Sequence, residues 1–273
     1  MVQLNELQGS WYRSLIVWPS GQRDATTSVT WLQGSTFYAD LRQPMPAADY
    51  ADVRGLRDLT ANQVANLARQ EGFAGVLVEH PDCFEWMRYI DYQPKPVYSD
   101  RGMLEDRGYV MIEQGLDIQY IEHWHRQGGE RAPAAAWFLR DPINGTRGIL
   151  VCAGRRFMFA RERAVSLNES LSLSEYIRAA SSLSEAQDLI DCELSAGFAG
   201  DGWKIESSSL PYRVGASLSP TMSRDGLQTG DVTQVGEPIE RAWSILEYEG
   251  SVDHFLKEKA NGHAVELQLY SNN

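Results

Sequence analysis

The chain has 273 residues, with 37 acidic against 25 basic side chains and a formal charge of −12. A chain of this length buries most of the surface its unfolded form exposes, so it needs neither disulfides nor a structural metal. Hydrophobic residues at 43% and aromatics at 10% exclude global disorder, and the acidic balance disfavours nucleic acid as a partner.

Only four of the basic residues are Lys, and the Arg majority suits forked contacts with carboxylates. The start, Met1-Val-Gln-Leu-Asn-Glu, shows no basic or apolar leader region, and runs such as 73–78 and 149–153 are too short to span a bilayer. No membrane partner and a cytoplasmic location are expected. Cys83, Cys152 and Cys192 are widely spaced and odd in number, which predicts small core residues rather than disulfides or a zinc site.

Period-two alternation with β-rich composition predicts strands at 9–18, 28–33, 37–42, 73–78, 83–92, 108–114, 117–126, 135–140, 147–153, 156–161, 203–209, 240–248 and 264–270. Asn144-Gly145 and Gly154-Arg155 mark hairpin turns, so neighbouring strands should be antiparallel. Capping patterns at Thr60-Ala-Asn-Gln63, Ser172-Leu-Ser-Glu175 and Ser184-Glu-Ala-Gln187 open three helices, the first ending at Glu71-Gly72, and a last one covers 252–259. The segments 43–58 and 217–238, rich in Pro, Gly, Ser, Asp and Thr, read as long loops. The fold class is therefore mainly β: an antiparallel barrel with a few short helices, one domain over 1–273 with insertions near 43–72 and 166–200.

The segment Glu6-Leu-Gln-Gly-Ser-Trp-Tyr12 resembles the opening strand of the lipocalin, or calycin, superfamily. That resemblance implies a barrel closed at one end by Trp11 beneath an Arg from a late strand, with Arg241 the nearest candidate, and an internal cavity. Typical members are shorter, secreted and disulfide-bonded, so the extracellular carrier role does not follow.

Two strands carry the candidate chemistry. If Ser35-Thr36 is a two-residue turn, Val29, Trp31, Gln33, Tyr38, Asp40 and Arg42 share one hairpin face, opposite Thr30, Leu32, Phe37, Ala39 and Leu41. Either face could point inward; an aliphatic interior would leave Asp40 and Arg42 as a surface ion pair of little energetic weight. In 118–126 the set Ile118, Tyr120, Glu122, Trp124 and Arg126 repeats the mixture of aromatic, acid and Arg, and Trp86 with Arg88 extends it. Together they predict a polar-aromatic cavity lined by Trp31, Gln33, Tyr38, Asp40, Arg42, Trp86, Arg88, Tyr120, Glu122, Trp124 and Arg126. The helical stripe Ala186, Leu189, Ile190 and Leu194 reads as packing, and Asp91 and Glu79 as surface charges.

The opposite face of 118–126 carries His123 and His125, and with Glu130 they resemble part of the first cupin metal motif. The flanking glycines are misplaced and the second motif is missing, so no metal is assigned. No nucleophile elbow, phosphate loop or dinucleotide fingerprint is present, and no cofactor is expected.

The leading reading is an intracellular barrel that binds a small amphipathic or aromatic molecule, an anionic one included. The alternative is a cofactor-independent lyase, isomerase or hydrolase in which Asp40 or Glu122 moves a proton and Arg42 or Arg126 stabilises negative charge. A weaker alternative is a cupin-like metal-dependent enzyme. A cavity carboxylate not neutralised by Arg would favour chemistry; a closed Asp–Arg pair would favour binding.

Overall fold

The structure is a computed structural model that describes residues 2–167, 171–200, 202–223 and 226–256. Its first half winds through β1 (Gly9–Val17), β2 (Arg23–Asp24), β3 (Ser28–Gln33), β4 (Phe37–Gln43), β5 (Glu71–Glu79), β6 (Phe84–Asp91), β7 (Arg101–Asp106), β8 (Met111–Gly115) and β9 (Ile121–Arg126). Each strand after β3 pairs with its predecessor, β3 pairs with β1, and β9 returns to β1, so eight antiparallel strands close a barrel with β2 appended to the far end of β1. Closure leaves the ring without a free edge.

The Ser35-Thr36 turn sets the register of the first hairpin as expected: Gln33 faces Tyr38, Trp31 faces Asp40 and Val29 faces Arg42. Trp31, Tyr38 and Val29 point into the barrel, while Leu32, Phe37, Ala39 and Leu41 pack outside it, yet both sets are buried. The cover over the outer set is a second sheet, built from β10 (Ala134–Arg140), β11 (Arg147–Ala153), β12 (Arg156–Arg161), β13 (Glu193–Phe198), β14 (Lys204–Ser208), β15 (Thr221–Ser223), β16 (Gly226–Val232) and β17 (Pro238–Gly250). Its order is β14-β13-β12-β11-β10-β17-β16-β15. Residues 216–218 bridge the open side of this curled sheet: Leu218 N–H donates to the Trp203 carbonyl at 3.0 Å, and Gly230 N–H to the Leu218 carbonyl at 2.7 Å.

Alternation in β10 to β12 sorts this sheet into two apolar faces. Ala136, Ile149, Val151, Met158 and Ala160 pack on the barrel wall, while Trp137, Leu150, Phe157, Phe159 and Trp243 form a separate core on the far side.

The helices α1 (Leu4–Leu7), α2 (Ala61–Leu67), α3 (Leu173–Ala179), α4 (Leu183–Leu189) and α5 (Val252–Phe255) are short. The Thr60 and Ser172 capping boxes are formed, α2 stops before residue 71 because β5 begins there, and α4 is capped by Ser182 rather than Ser184. Ala186, Leu189, Ile190 and Leu194 are core packing, although Leu194 belongs to β13. Three strand expectations are corrected. Segment 108–114 belongs to a β7–β8 hairpin turning at 107–110, 217–238 contains β15 and β16, and β13 forms within 166–200, where a helical and loop insertion is expected. The expected strand 264–270 and the end of the expected helix 252–259 lie outside the described residues. Among the described residues no helix is long and apolar enough to cross a membrane.

The opening strand explains its own sequence. Trp11 is buried at one barrel end, its indole N–H donates to the Leu7 carbonyl at 2.7 Å, and the Arg126 guanidinium lies 4.0 Å above its ring. Gly9 adopts φ +120°, and a Cβ there would sit 3.2 Å from Arg126 Nη1 and 3.1 Å from Arg131 Cγ. The Arg over Trp11 is thus Arg126 on the last barrel strand. Arg241 lies instead on β17, bonded to Asp231 at 2.8 Å and Asp141 at 2.7 Å.

Candidate functional site

Four tryptophans fill the barrel between its two ends. Trp31 contacts Trp11, Trp86 and Trp124 with ring centroids 5.8, 6.0 and 5.4 Å away, two of these contacts being edge-to-face. Trp31 is 1% and Trp124 2% exposed. Gln33 closes the turn end, accepting from the Trp31 indole at 3.3 Å and donating to the Thr36 carbonyl at 3.1 Å. Trp31, Gln33, Trp86, Trp124 and Arg126 therefore share the barrel as expected, but they are core and cap rather than walls of an opening.

The opposite end is charged. Arg42 binds Asp40 at 2.8 Å and reaches Glu122 at 3.5 Å; Arg13 binds Glu122 at 2.5 Å and Asp24 at 3.6 Å. Arg88 holds Asp100 at 2.5 Å and Asp91 at 3.3 Å, and stands 3.5 Å over the Phe73 ring. Asp91, expected as a surface charge, is thus part of the ladder; Glu79 instead accepts from the Leu4 N–H at 3.0 Å. A cavity of about 330 Å³ opens here, roofed by residues 93–101 and lined by Ile16, Arg42, Phe73, Arg88, Asp91, Tyr98, Asp100, Ile118, Tyr120 and Glu122. Four predicted residues, Arg42, Arg88, Tyr120 and Glu122, line it, while Tyr38 and Asp40 lie beneath, Tyr38 without a partner for its hydroxyl.

Burial raises the pKa of Asp40, opposed by Arg42, and that of Asp91, opposed by Arg88. The two sequence candidates for proton transfer, Asp40 and Glu122, are both held by guanidiniums.

Among the buried carboxylates of the described residues, the one without an Arg partner is Glu113, on β8, which the sequence reading does not single out. It is 4% exposed and faces Glu122 across the β8–β9 ladder. Its Oε1 lies 2.6 Å from the Tyr120 hydroxyl, and its Oε2 accepts from the Trp124 indole at 2.9 Å. Burial pushes its pKa well up, and the nearby Glu122 and Asp100 charges add to that. A neutral Glu113 satisfies this geometry if its O–H donates to Tyr120, whose own hydroxyl turns toward Asp100 at 3.5 Å. Its signal in the sequence is the alternation of Met111, Glu113 and Gly115 on one strand face, which a strand expected over 108–114 does not separate from the turn before it.

His123 and His125 sit on the outer barrel face, where His125 pairs with Ser14 Oγ at 2.8 Å and stacks on Tyr12 with ring centroids 5.1 Å apart. No group of three or more His, Cys, Asp or Glu able to hold a metal occurs among the described residues, and Glu130 joins neither histidine. The second sheet has its own charged network: Arg213 binds Glu193 at 2.9 Å, Arg161 binds Asp191 at 2.7 Å, and Arg241 links Asp231 with Asp141.

No protein-family model matches the chain, and no curated protein matches it. The fold is similar to the crystal structure of an uncharacterized protein of Saccharomyces cerevisiae, with 12% identity and a TM-score of 0.51 over 89% of this chain and 100% of that one.

Proposed function

We propose that the chain is a lipocalin-like cytoplasmic protein that binds a small amphipathic molecule in the charged mouth of its barrel. The observation that carries this reading is the cavity of about 330 Å³ in which Phe73, Tyr98 and Tyr120 stand beside a buried Arg–carboxylate ladder. A few fixed polar groups among apolar and aromatic walls are the composition of small-molecule sites. The Arg126-over-Trp11 closure supports the lipocalin-like assignment, and three buried free cysteines support a reducing compartment.

Because Arg42 and Arg88 are each engaged by two carboxylates, a forked grip on an anion is not open to them. The polar end of the ligand is therefore a hydrogen-bond donor or a cation, and its body is apolar or aromatic.

Mass spectrometry of small molecules released from the purified chain tests the reading, together with titration by 2-phenylethylamine, 3-phenylpropanol and 3-phenylpropionate followed by tryptophan fluorescence. Saturable binding of the amine or alcohol, weakened in Tyr98→Ala and Ile118→Ala, is expected. Absence of any co-purifying molecule and of any saturable response would remove the cavity as a binding site.

A second reading is favoured by the Glu113–Tyr120 contact. Tyr120 lines the cavity, so a neutral Glu113 could pass a proton through the phenol to a bound molecule. This makes Glu113, rather than Asp40 or Glu122, the acid of an enzyme working on the same ligand, and Glu113→Gln would then abolish turnover while sparing binding.

A further inference from the structure

On the far side of the 91–94 segment, a second cavity of about 330 Å³ is lined by Arg163, Lys95, Arg147 and the Asn144–Thr146 turn, together with Asp91 and Glu162. Arg163 is 7% exposed, yet it forms no ion pair among the described residues. One of its nitrogens donates to the Tyr92 carbonyl, and its Nε has no hydrogen-bond partner. Every other guanidinium buried as deeply has its carboxylate: Arg161 has Asp191, and Arg213 has Glu193.

The acids of this cavity are already engaged. Asp91 is held by Arg88 at 3.3 Å, and Glu162 accepts from Arg147 at both oxygens. What is left facing the cavity is the Arg163 cation, with Lys95 exposed at the rim. A guanidinium withdrawn from water without a counter-charge is unfavourable unless a negative group joins it.

We propose that this cavity is a binding site for a small tetrahedral oxyanion, phosphate or the phosphate group of a monoester, gripped by Arg163 and steered by Lys95. Phosphate offers the several acceptor oxygens that a guanidinium binds in a forked pair, and a turn of the Arg163 side chain toward the cavity brings its buried, unpartnered Nε–H to one of them. The site lies across the 91–94 segment from the barrel mouth, with Asp91, Gln93 and Pro94 lining both, and it does not depend on the ligand proposed there.

Calorimetric titration of the full chain with inorganic phosphate tests it, with chloride at matched ionic strength as control and phenyl phosphate as the monoester arm. Saturable phosphate binding is expected, weakened several-fold by Lys95→Ala and by roughly tenfold or more in Arg163→Met, the loss of a charged hydrogen-bond pair. Tighter binding of phenyl phosphate would identify a monoester as the ligand, and equal or weaker binding would identify the free anion. Lys95 is exposed, so its variant reports even if Arg163→Met does not fold. An Arg Nε–H resonance that moves on phosphate saturation and is missing from Arg163→Lys is the independent readout. No saturable binding beyond the chloride control, or binding unchanged in Lys95→Ala and without a moving Nε–H signal, overturns the proposal.

Discussion

Replacing Glu113 by Gln changes one atom and should change how stability depends on pH. In the unfolded chain a glutamate loses its proton near pH 4.3, to an approximation. In the folded chain burial holds Glu113 neutral to a higher pH, so over that window the native state binds one more proton than the unfolded state. Stability contributed by the group is therefore greatest below about pH 4.3 and falls by about 1.4 kcal/mol per pH unit until the folded carboxyl ionises. The glutamine side chain is the permanent analogue of the neutral acid: its amide nitrogen can donate to Tyr120 where Oε1 now lies, and its oxygen can accept from Trp124 where Oε2 now lies. Urea unfolding of both proteins from pH 5 to pH 8 should give curves that separate as pH rises, the Glu113→Gln variant becoming the more stable. The separation approaches about 4 kcal/mol if the folded pKa stays above that range, and it flattens where Glu113 ionises. Taking the difference removes the contributions of Asp40 and Asp91, which both proteins share. A pH-independent difference would refute the neutral buried acid and, with it, the relay through Tyr120.

Further outcomes follow from packing and charge. Trp31→Ala and Trp124→Ala should each lower stability by about 3–5 kcal/mol in denaturant melts, since both rings are fully packed and neither lines the cavity; native stability in either variant would contradict a filled barrel. Arg126→Ala removes the guanidinium over Trp11 and its 2.7 Å bond to the Gln8 carbonyl. It should lower stability by about 1–3 kcal/mol and shift Trp11 fluorescence to the red, while an unchanged spectrum would place the Arg elsewhere. Arg213→Met leaves the fully buried Glu193 with only the Ser195 hydroxyl at 2.7 Å and Arg161 at 3.9 Å, and should cost about 3–5 kcal/mol. Adding Glu193→Gln should restore part of that loss in the same melts, and strict additivity of the two changes would show that the pair does not interact.

Much of the barrel is legible in the sequence because a strand's side-chain period is short and local. The Ser35-Thr36 turn and its flanking alternation specify the first hairpin register to the residue, and the spacing of Tyr120, Glu122 and Trp124 puts them on one face with the histidines on the other. Capping residues placed α2 and α3 for the same local reason. Which face of a strand is inside is not local. Leu32, Phe37, Ala39 and Leu41 have the composition of a core, and they are one, but under the second sheet rather than within the barrel. Only the packing of two sheets lets the polar-aromatic face take the interior, because both faces then leave water. The same reason hides the site. The local β8–β9 hairpin sets Glu113 against Tyr120, but only the closed barrel buries the pair and folds residues 93–101 over the ladder of Arg42 and Arg88. It also decides that Trp31 and Trp124 fill space, since no pattern along one strand records how much of the barrel the other strands occupy.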